Sequence, residues 1–209
     1  MRIGIIGAGM IGGATAQLLA GAGHDIWLSN SRGPQSLADQ AQKLGSNVKP
    51  STVEEAATAG DIVLVAIPFG KYETLPAETL AGKIVIDTMN YYPQRDGQME
   101  FGGLTSTELV AQHLAKSRVV KAFNTLYFAT LLKETQPQAP LEERLVVFLA
   151  GDDAQAMATV SKLIEEVGFA PIETGNLHEG SLRQQMGAPL ISHPVKPAQA
   201  RELLKQSKV

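Results

Sequence analysis

The chain has 209 residues, of which 44% are hydrophobic and 19% charged, with a net charge of −3 and no cysteine. That composition suits one globular α/β domain, with no basic field to recruit nucleic acid or an anionic membrane. The lack of cysteine excludes disulfides, thiolate metal sites, iron–sulfur clusters and a cysteine nucleophile.

Residues 2–6, Arg-Ile-Gly-Ile-Ile, are a short apolar run that predicts a strand covered on both faces. It runs straight into glycines, so it reads as a strand and not as a signal peptide. No run approaches the roughly 20 apolar residues of a membrane span, and a cytoplasmic location is expected. Gly7-Ala8-Gly9-Met10-Ile11-Gly12-Gly13 follows. Ile11, Ala14, Leu18, Leu19 and Ala22 share one helical face, predicting a helix over about 11–22. Asp25–Ser29 reads as the second strand. A G-x-G-x-x-G string is weak alone. Between a strand and a helix, with a second strand inside about 30 residues, it is a dinucleotide fingerprint. Gly7 permits the tight turn, Gly9 admits a pyrophosphate, and Gly12 lets the helix pack on the sheet. Ala8, Met10 and Ile11 complete a helix N-terminus whose N–H groups and dipole favour phosphate.

The second strand ends in Ser29-Asn30-Ser31-Arg32-Gly33. No carboxylate lies between Asp25 and Asp39, and Asp25 sits at the wrong end of its strand. An NAD site usually places an acid there for the ribose hydroxyls; hydroxyls and a guanidinium suit a 2′-phosphate. The expectation is NADP(H).

Further along, Pro34 opens a helix carrying Leu37, Ala38, Ala41 and Leu44 that stops at Gly45. A short strand near 47–49 and a helix near 53–58 follow, the latter with Thr52 and Glu55 spaced as a capping box. Residues 61–67 form an unmistakable apolar strand, stopped by Pro68. A helix is predicted at about 71–75, resuming at 77–80, then a strand at 83–86. Residues 88–104 carry no period; a loop this long is usually functional, and its aromatics argue against disorder. The remaining expectations are a helix to Leu114, a strand at 118–122, a helix over 124–132 and a turn at 135–140. After these come a strand at 144–150, a helix at 154–167 and a strand at 170–173. Prolines 189, 194 and 197 limit the end to short helices near 179–186 and 198–206.

Alternating strands and helices predict a Rossmann-type doubly wound, mainly parallel sheet of order 3-2-1-4-5-6 with strands 7 and 8 added. The whole chain, 1–209, reads as one domain with an irregular or helical tail from about 175. Substrate would then bind at the sheet edge, beneath loop 88–104 and that tail. Cofactor contacts are expected at strand ends: Ala66, Ile67 and Pro68, then Asn90, then Ala122 and Asn124. Of the histidines, His24 lies at the wrong edge, His113 reads as exposed on a helix, and His178 and His193 could reach the rim. No pair has metal-ligand spacing, so no metal is expected. Tyr91 and Tyr92 read as packing aromatics or proton donors, and Lys121 as an acid or a strand-end charge. No catalytic residue stands out. Hydride transfer between two redox cofactors needs proximity more than protein acids, whereas ketone reduction needs a positioned proton donor.

The sequence resembles the NADP-dependent oxidoreductases of the deazaflavin coenzyme F-420 family, and is similar to the nucleotide-binding domain of membrane ferric reductases. The likeness runs through residues 3–12, 29–34, 65–68, 87–91, 119–125 and 150–153. It implies pyrophosphate on Ala8–Ile11, a 2′-phosphate near Ser31 and Arg32, and hydride transfer to a flavin-like ring near Pro68 and Asn124. It also implies a homodimer, and a small-molecule redox acceptor that is a deazaflavin, a flavin or another small molecule. Two alternatives stand beside it: a non-catalytic NADP(H)-binding redox sensor, and an imine or ketone reductase similar to pyrroline-carboxylate reductase.

Overall fold

The structure, a computed structural model, describes residues 1–207. Its strands are β1 (Arg2–Ile6), β2 (Asp25–Ser29), β3 (Val48–Ser51), β4 (Ile62–Val65), β5 (Ile84–Asp87), β6 (Arg118–Ala122), β7 (Val146–Gly151) and β8 (Ala170–Glu173). Helices α1 (Met10–Gly21), α2 (Ala38–Leu44), α3 (Val53–Ala59), α4 (Pro93–Asp96) and α5 (Ser106–His113) lie between the first six strands. They are followed by α6 (Phe128–Lys133), α7 (Ala154–Glu166), α8 (Leu177–Gln184) and α9 (Pro197–Gln206). The strands form one sheet in the order β3-β2-β1-β4-β5-β6-β7-β8, as the alternation of elements implies. Every neighbouring pair is parallel except β6 and β7.

Side chains alternate across each strand, so each strand feeds two cores. Ile3, Ile5, Ile26, Leu28 and Leu64 join α1 and α7 on one face. Ile6, Val63, Val65 and Val85 join Phe69, Tyr72 and α5 on the other. The capping box at α3 is formed: Glu55 N–H donates to Thr52 Oγ1 at 3.1 Å, and Thr52 N–H to Glu55 Oε2 at 2.7 Å. This satisfies two of the N–H groups that a helix start leaves unpaired.

Several boundaries differ from the sequence expectation. The third strand is Val48–Ser51, and Pro50 is tolerated in it because β3 lies at the sheet edge. The fourth strand ends at Val65, so residues 66–68 leave the sheet before Pro68 is reached. The segment after it is a 3-10 turn, Phe69–Thr74, and residues 77–80 make only a turn. The predicted helix over 124–132 begins only at Phe128, because Phe123 takes φ +60° and turns the chain sharply. Helix α8 starts at Leu177, where Asn176 Oδ1 accepts from Glu179 N–H at 2.8 Å.

Loop 88–104 is ordered by its aromatics. Tyr91 stands edge-on to Phe101, ring centroids 4.8 Å apart, and to Phe69 at 5.8 Å. Tyr91 OH donates to Gly97 O at 2.8 Å and accepts from Met99 N–H at 3.2 Å. Tyr91 therefore staples the loop.

His24 lies at the opposite edge, as expected, buried against Glu166 at 3.1 Å. Its burial pushes the imidazole below its ordinary value of 6.5, with the nearby N-terminus adding to the effect and Glu166 opposing it. A histidine depressed in the folded state contributes stability present above its unfolded value and lost as pH falls through its folded one. The urea midpoint should therefore fall more between about pH 7.5 and about pH 5.5 in the native protein than in His24→Gln. Equal falls would remove His24 from the acid sensitivity.

Candidate functional site

The glycine turn is set by backbone contact. Gly7, at φ +109°, lies so close to β4 that a Cβ there would overlap the Ala66 carbonyl. A Cβ on Gly12 would overlap the Gly7 carbonyl oxygen. Gly9 differs: its φ is −76°, and a Cβ on it would meet nothing within 4 Å. Nothing among the described residues requires a glycine there. The open space lies at the N-terminus of α1, where no side chain caps the helix. Uncapped N–H groups beside an open cradle are what a pyrophosphate needs, so the residues present fit a dinucleotide.

At the end of β2, the Ser29 hydroxyl is fully buried and donates to Ile5 O at 2.9 Å, so it is not available to a phosphate. Asn30 shapes the turn: its Oδ1 accepts from Arg32 N–H at 2.9 Å, and its Nδ2 donates to Ser36 Oγ at 3.0 Å. Ser31 and Arg32 are exposed, and Arg32 has no ion pair among the described residues. Of the expected phosphate ligands, these two present free side chains, while Asn30 positions them.

From the turn a cavity of about 740 Å³ runs across the strand ends. It brings together Gly9, Met10, Ile11, Ala66, Ile67, Pro68, Asn90 and Asn124, all expected from the sequence. Gly7, Ala8 and Gly12 shape the turn without lining this cavity, and Asn30, Ser31 and Arg32 lie outside it. Ala122 is a correction: it is fully buried in the core, and Thr125, Leu126 and Tyr127 line the wall beyond it. Sequence reasoning missed Tyr127 and Met186, which with Met10 form an exposed apolar rim. Tyr127 was hidden inside an expected helix. His178 and His193 do not line the cavity; His178 Nδ1 pairs with Glu108 Oε2 at 2.8 Å, and His193 is exposed. His113 is half-buried rather than exposed, its Nε2 2.9 Å from Leu75 O.

Two pairs hold the cavity's wall. Asn124 Nδ2 donates to Asn90 Oδ1 at 3.0 Å and to Gln184 O at 2.9 Å, and Asn90 Nδ2 donates to Asn124 O at 2.9 Å. Beneath them Lys121 Nζ pairs with Asp87 Oδ2 at 3.0 Å and donates to Met89 O. Asp87 also accepts from Thr107 Oγ1 and from Met89 N–H, each at 2.8 Å. Lys121 and Asp87 are both buried, so the strand-end charge is an internal pin that fixes residues 87–90.

The glycines make separable predictions. Gly9→Val should cut NADPH affinity by about 100-fold or more while leaving the thermal midpoint within about 2 °C. Gly12→Ala should instead destabilise the fold by about 1–3 kcal/mol, read by urea denaturation. A midpoint lowered equally in both variants would mean that Gly9 is structural. Arg32→Ala should weaken NADPH about tenfold or more and NADH hardly at all, measured by titration. Equal losses would remove Arg32 from phosphate binding.

Comparison with known proteins agrees with this geometry. Residues 2–91 match the model of the family described as NADP oxidoreductase, coenzyme F420-dependent. The protein SMa0349 of Sinorhizobium meliloti superposes with TM-score 0.82 at 33% identity, covering 94% of this chain and 95% of that one. An Arthrobacter sp. FB24 protein described as an F420-dependent NADP-reductase gives TM-score 0.72 at 21% identity, covering 93% of this chain and 99% of that one. The rat metalloreductase STEAP3 is 29% identical over 191 residues, 90% of this chain but 36% of its own length. This chain thus spans about a third of that curated relative. An imine reductase from Bacillus cereus, 20% identical with TM-score 0.64 over 88% of this chain and 57% of its own, shares the fold. The glycine turn on a Rossmann sheet and the family match agree: residues 2–91 of the chain belong to the family described as NADP oxidoreductase, coenzyme F420-dependent.

Proposed function

We propose that the protein transfers a hydride between NADP(H), held on the turn at Gly9–Ile11, and a deazaflavin or flavin ring seated in the adjoining cavity. The observation that carries this reading is the cavity's lining. It joins the cofactor cradle to an apolar rim and contains no carboxylate, histidine or lysine among the described residues. Arg95 is its one fixed charge among the described residues, and that guanidinium is paired with Asp96 and lies 4.8 Å from the Tyr92 ring centroid. Such walls suit the orientation of two flat rings, which is what hydride transfer asks of a protein.

When bound, NADPH supplies the hydride. The chain's own residues bind and orient. The N-terminus of α1 takes the pyrophosphate, Ser31 and Arg32 take the 2′-phosphate, and Pro68 and Asn90 border the ring end. Met10, Tyr127 and Met186 cover the acceptor ring. The proton that accompanies the hydride to a flavin comes from solvent, so no side chain changes protonation. A homodimer is part of the same reading, on the family resemblance. The metal reduction named for the rat relative does not carry over, because the match covers 36% of that protein.

Mixing the NADPH-loaded protein with coenzyme F420, FMN or lumiflavin tests the reaction. Nicotinamide absorbance should disappear at least about 100-fold faster than without protein for one of these rings. The rate should stay level between about pH 6 and about pH 8, because no protein acid takes part. Tight NADPH binding with no oxidation by any ring would make the protein a binding module. A rate that follows one ionisation would require a proton donor that this reading lacks.

A further inference from the structure

A second cavity, of about 420 Å³, lies beside the first and has no role in the reaction described above. Asn90 and Met186 line both, so the two spaces share a wall. Loop residues 101–104 and helix α8 form its outer sides. Its volume is many times that of one water, which occupies about 30 Å³ in the liquid.

The chemistry of the lining is one-sided. Among the described residues no carboxylate lines the cavity, and Lys121 does. The ammonium carries three N–H donors, and the oxygens of Asp87 and Met89 take two of them. The carboxylate of Asp87 is shared among Lys121, Thr107 and the Met89 amide. Ser181, also in the wall, is 2% exposed, and its hydroxyl has no hydrogen-bond partner among the described residues. Ser106 and Gln185 add polar groups, while Phe101, Leu104 and Leu182 supply apolar surface. A buried cation with a spare donor, a buried hydroxyl without a partner and apolar walls suit a flexible stem that ends in anionic oxygens.

We propose that this second cavity docks an anionic arm, a phosphate or carboxylate, of the acceptor whose ring lies in the first cavity. The inference rests on the proposed hydride transfer for the identity of the ring, and on the second cavity alone for the arm. It makes Lys121 a specificity residue in addition to its structural pairing with Asp87. The chain would then select among acceptors with the same ring by what hangs from it.

Flavins that share one ring but differ in the arm provide the test: FMN ends in a phosphate, riboflavin in hydroxyls, and lumiflavin carries only a methyl group. Quenching of flavin fluorescence by the NADP+-loaded protein gives each affinity without turnover. FMN should bind at least about tenfold more tightly than lumiflavin, with riboflavin between them. Leu182→Glu places a carboxylate in the wall of the second cavity at a half-buried position. It should erase the preference for FMN over riboflavin and leave NADPH affinity within about twofold. Lys121→Met should narrow the FMN-to-lumiflavin ratio, which a general loss of stability would not do. Equal affinity for the three flavins in the native protein overturns the proposal, as does an equal loss for all three in Leu182→Glu. Oxidation of NADPH by lumiflavin, which has no arm, reports on hydride transfer separately. Its absence alongside a retained FMN preference would defeat the reaction and leave the subsite standing.

Discussion

The close passage of the β1–α1 turn over the end of β4 is the contact on which the rest of the site depends. Neither Gly7 nor Gly12 can carry a side chain, because backbone atoms already fill the space. That contact draws the start of α1 against residues 66–68, so the helix N-terminus and the wall of the cavity become neighbours. It also leaves Gly9 facing open space. A packing constraint at two glycines thus leaves open space at a third. The cradle sits where helix dipole and unpaired N–H groups favour a phosphate.

The second constraint is electrostatic. Lys121 and Asp87 are buried together at the ends of neighbouring parallel strands β6 and β5. Removing either partner would strand the other charge in the interior, at a cost of about 3–5 kcal/mol. The pair is further tied to Met89 and Thr107, so it fixes the chain just before Asn90. Asn90 in turn holds Asn124, and Asn124 holds the last residue of α8 through Gln184 O. A line of polar contacts therefore runs from the sheet interior to the tail that closes both cavities. The strained backbone of Phe123, at φ +60°, lies on that line. Strain of this kind persists where the surroundings over-determine it, and such places cluster at functional sites.

Much of this is legible in the amino-acid sequence. The apolar runs at residues 2–6 and 61–67, the glycine spacing and the acid-free end of β2 were enough for the sheet order, the tight glycine turn and eight of the residues lining the main cavity. These signals are local, and each has one physical meaning. What the sequence hid depended on long-range packing. Ser29 stands among the hydroxyls at the end of β2, and only the packing shows its own bonded to Ile5 O on the neighbouring strand. Ala122 reads as a strand-end contact until Phe123 turns the chain and leaves it in the core. Tyr127 and Met186 reach the rim from two separate segments, and no periodicity announces that. The pairing of Lys121 with Asp87 depends on the register between β5 and β6, 34 residues apart in sequence.

The central claim is that the turn and the end of β2 together form a site for a phosphorylated dinucleotide. Calorimetric titration of the native protein with NADPH and with NADH under one salt condition tests it most directly. The account predicts NADPH bound at least about tenfold more tightly than NADH, the difference arising at the 2′-phosphate. Equal affinities, or no binding of either, would contradict it.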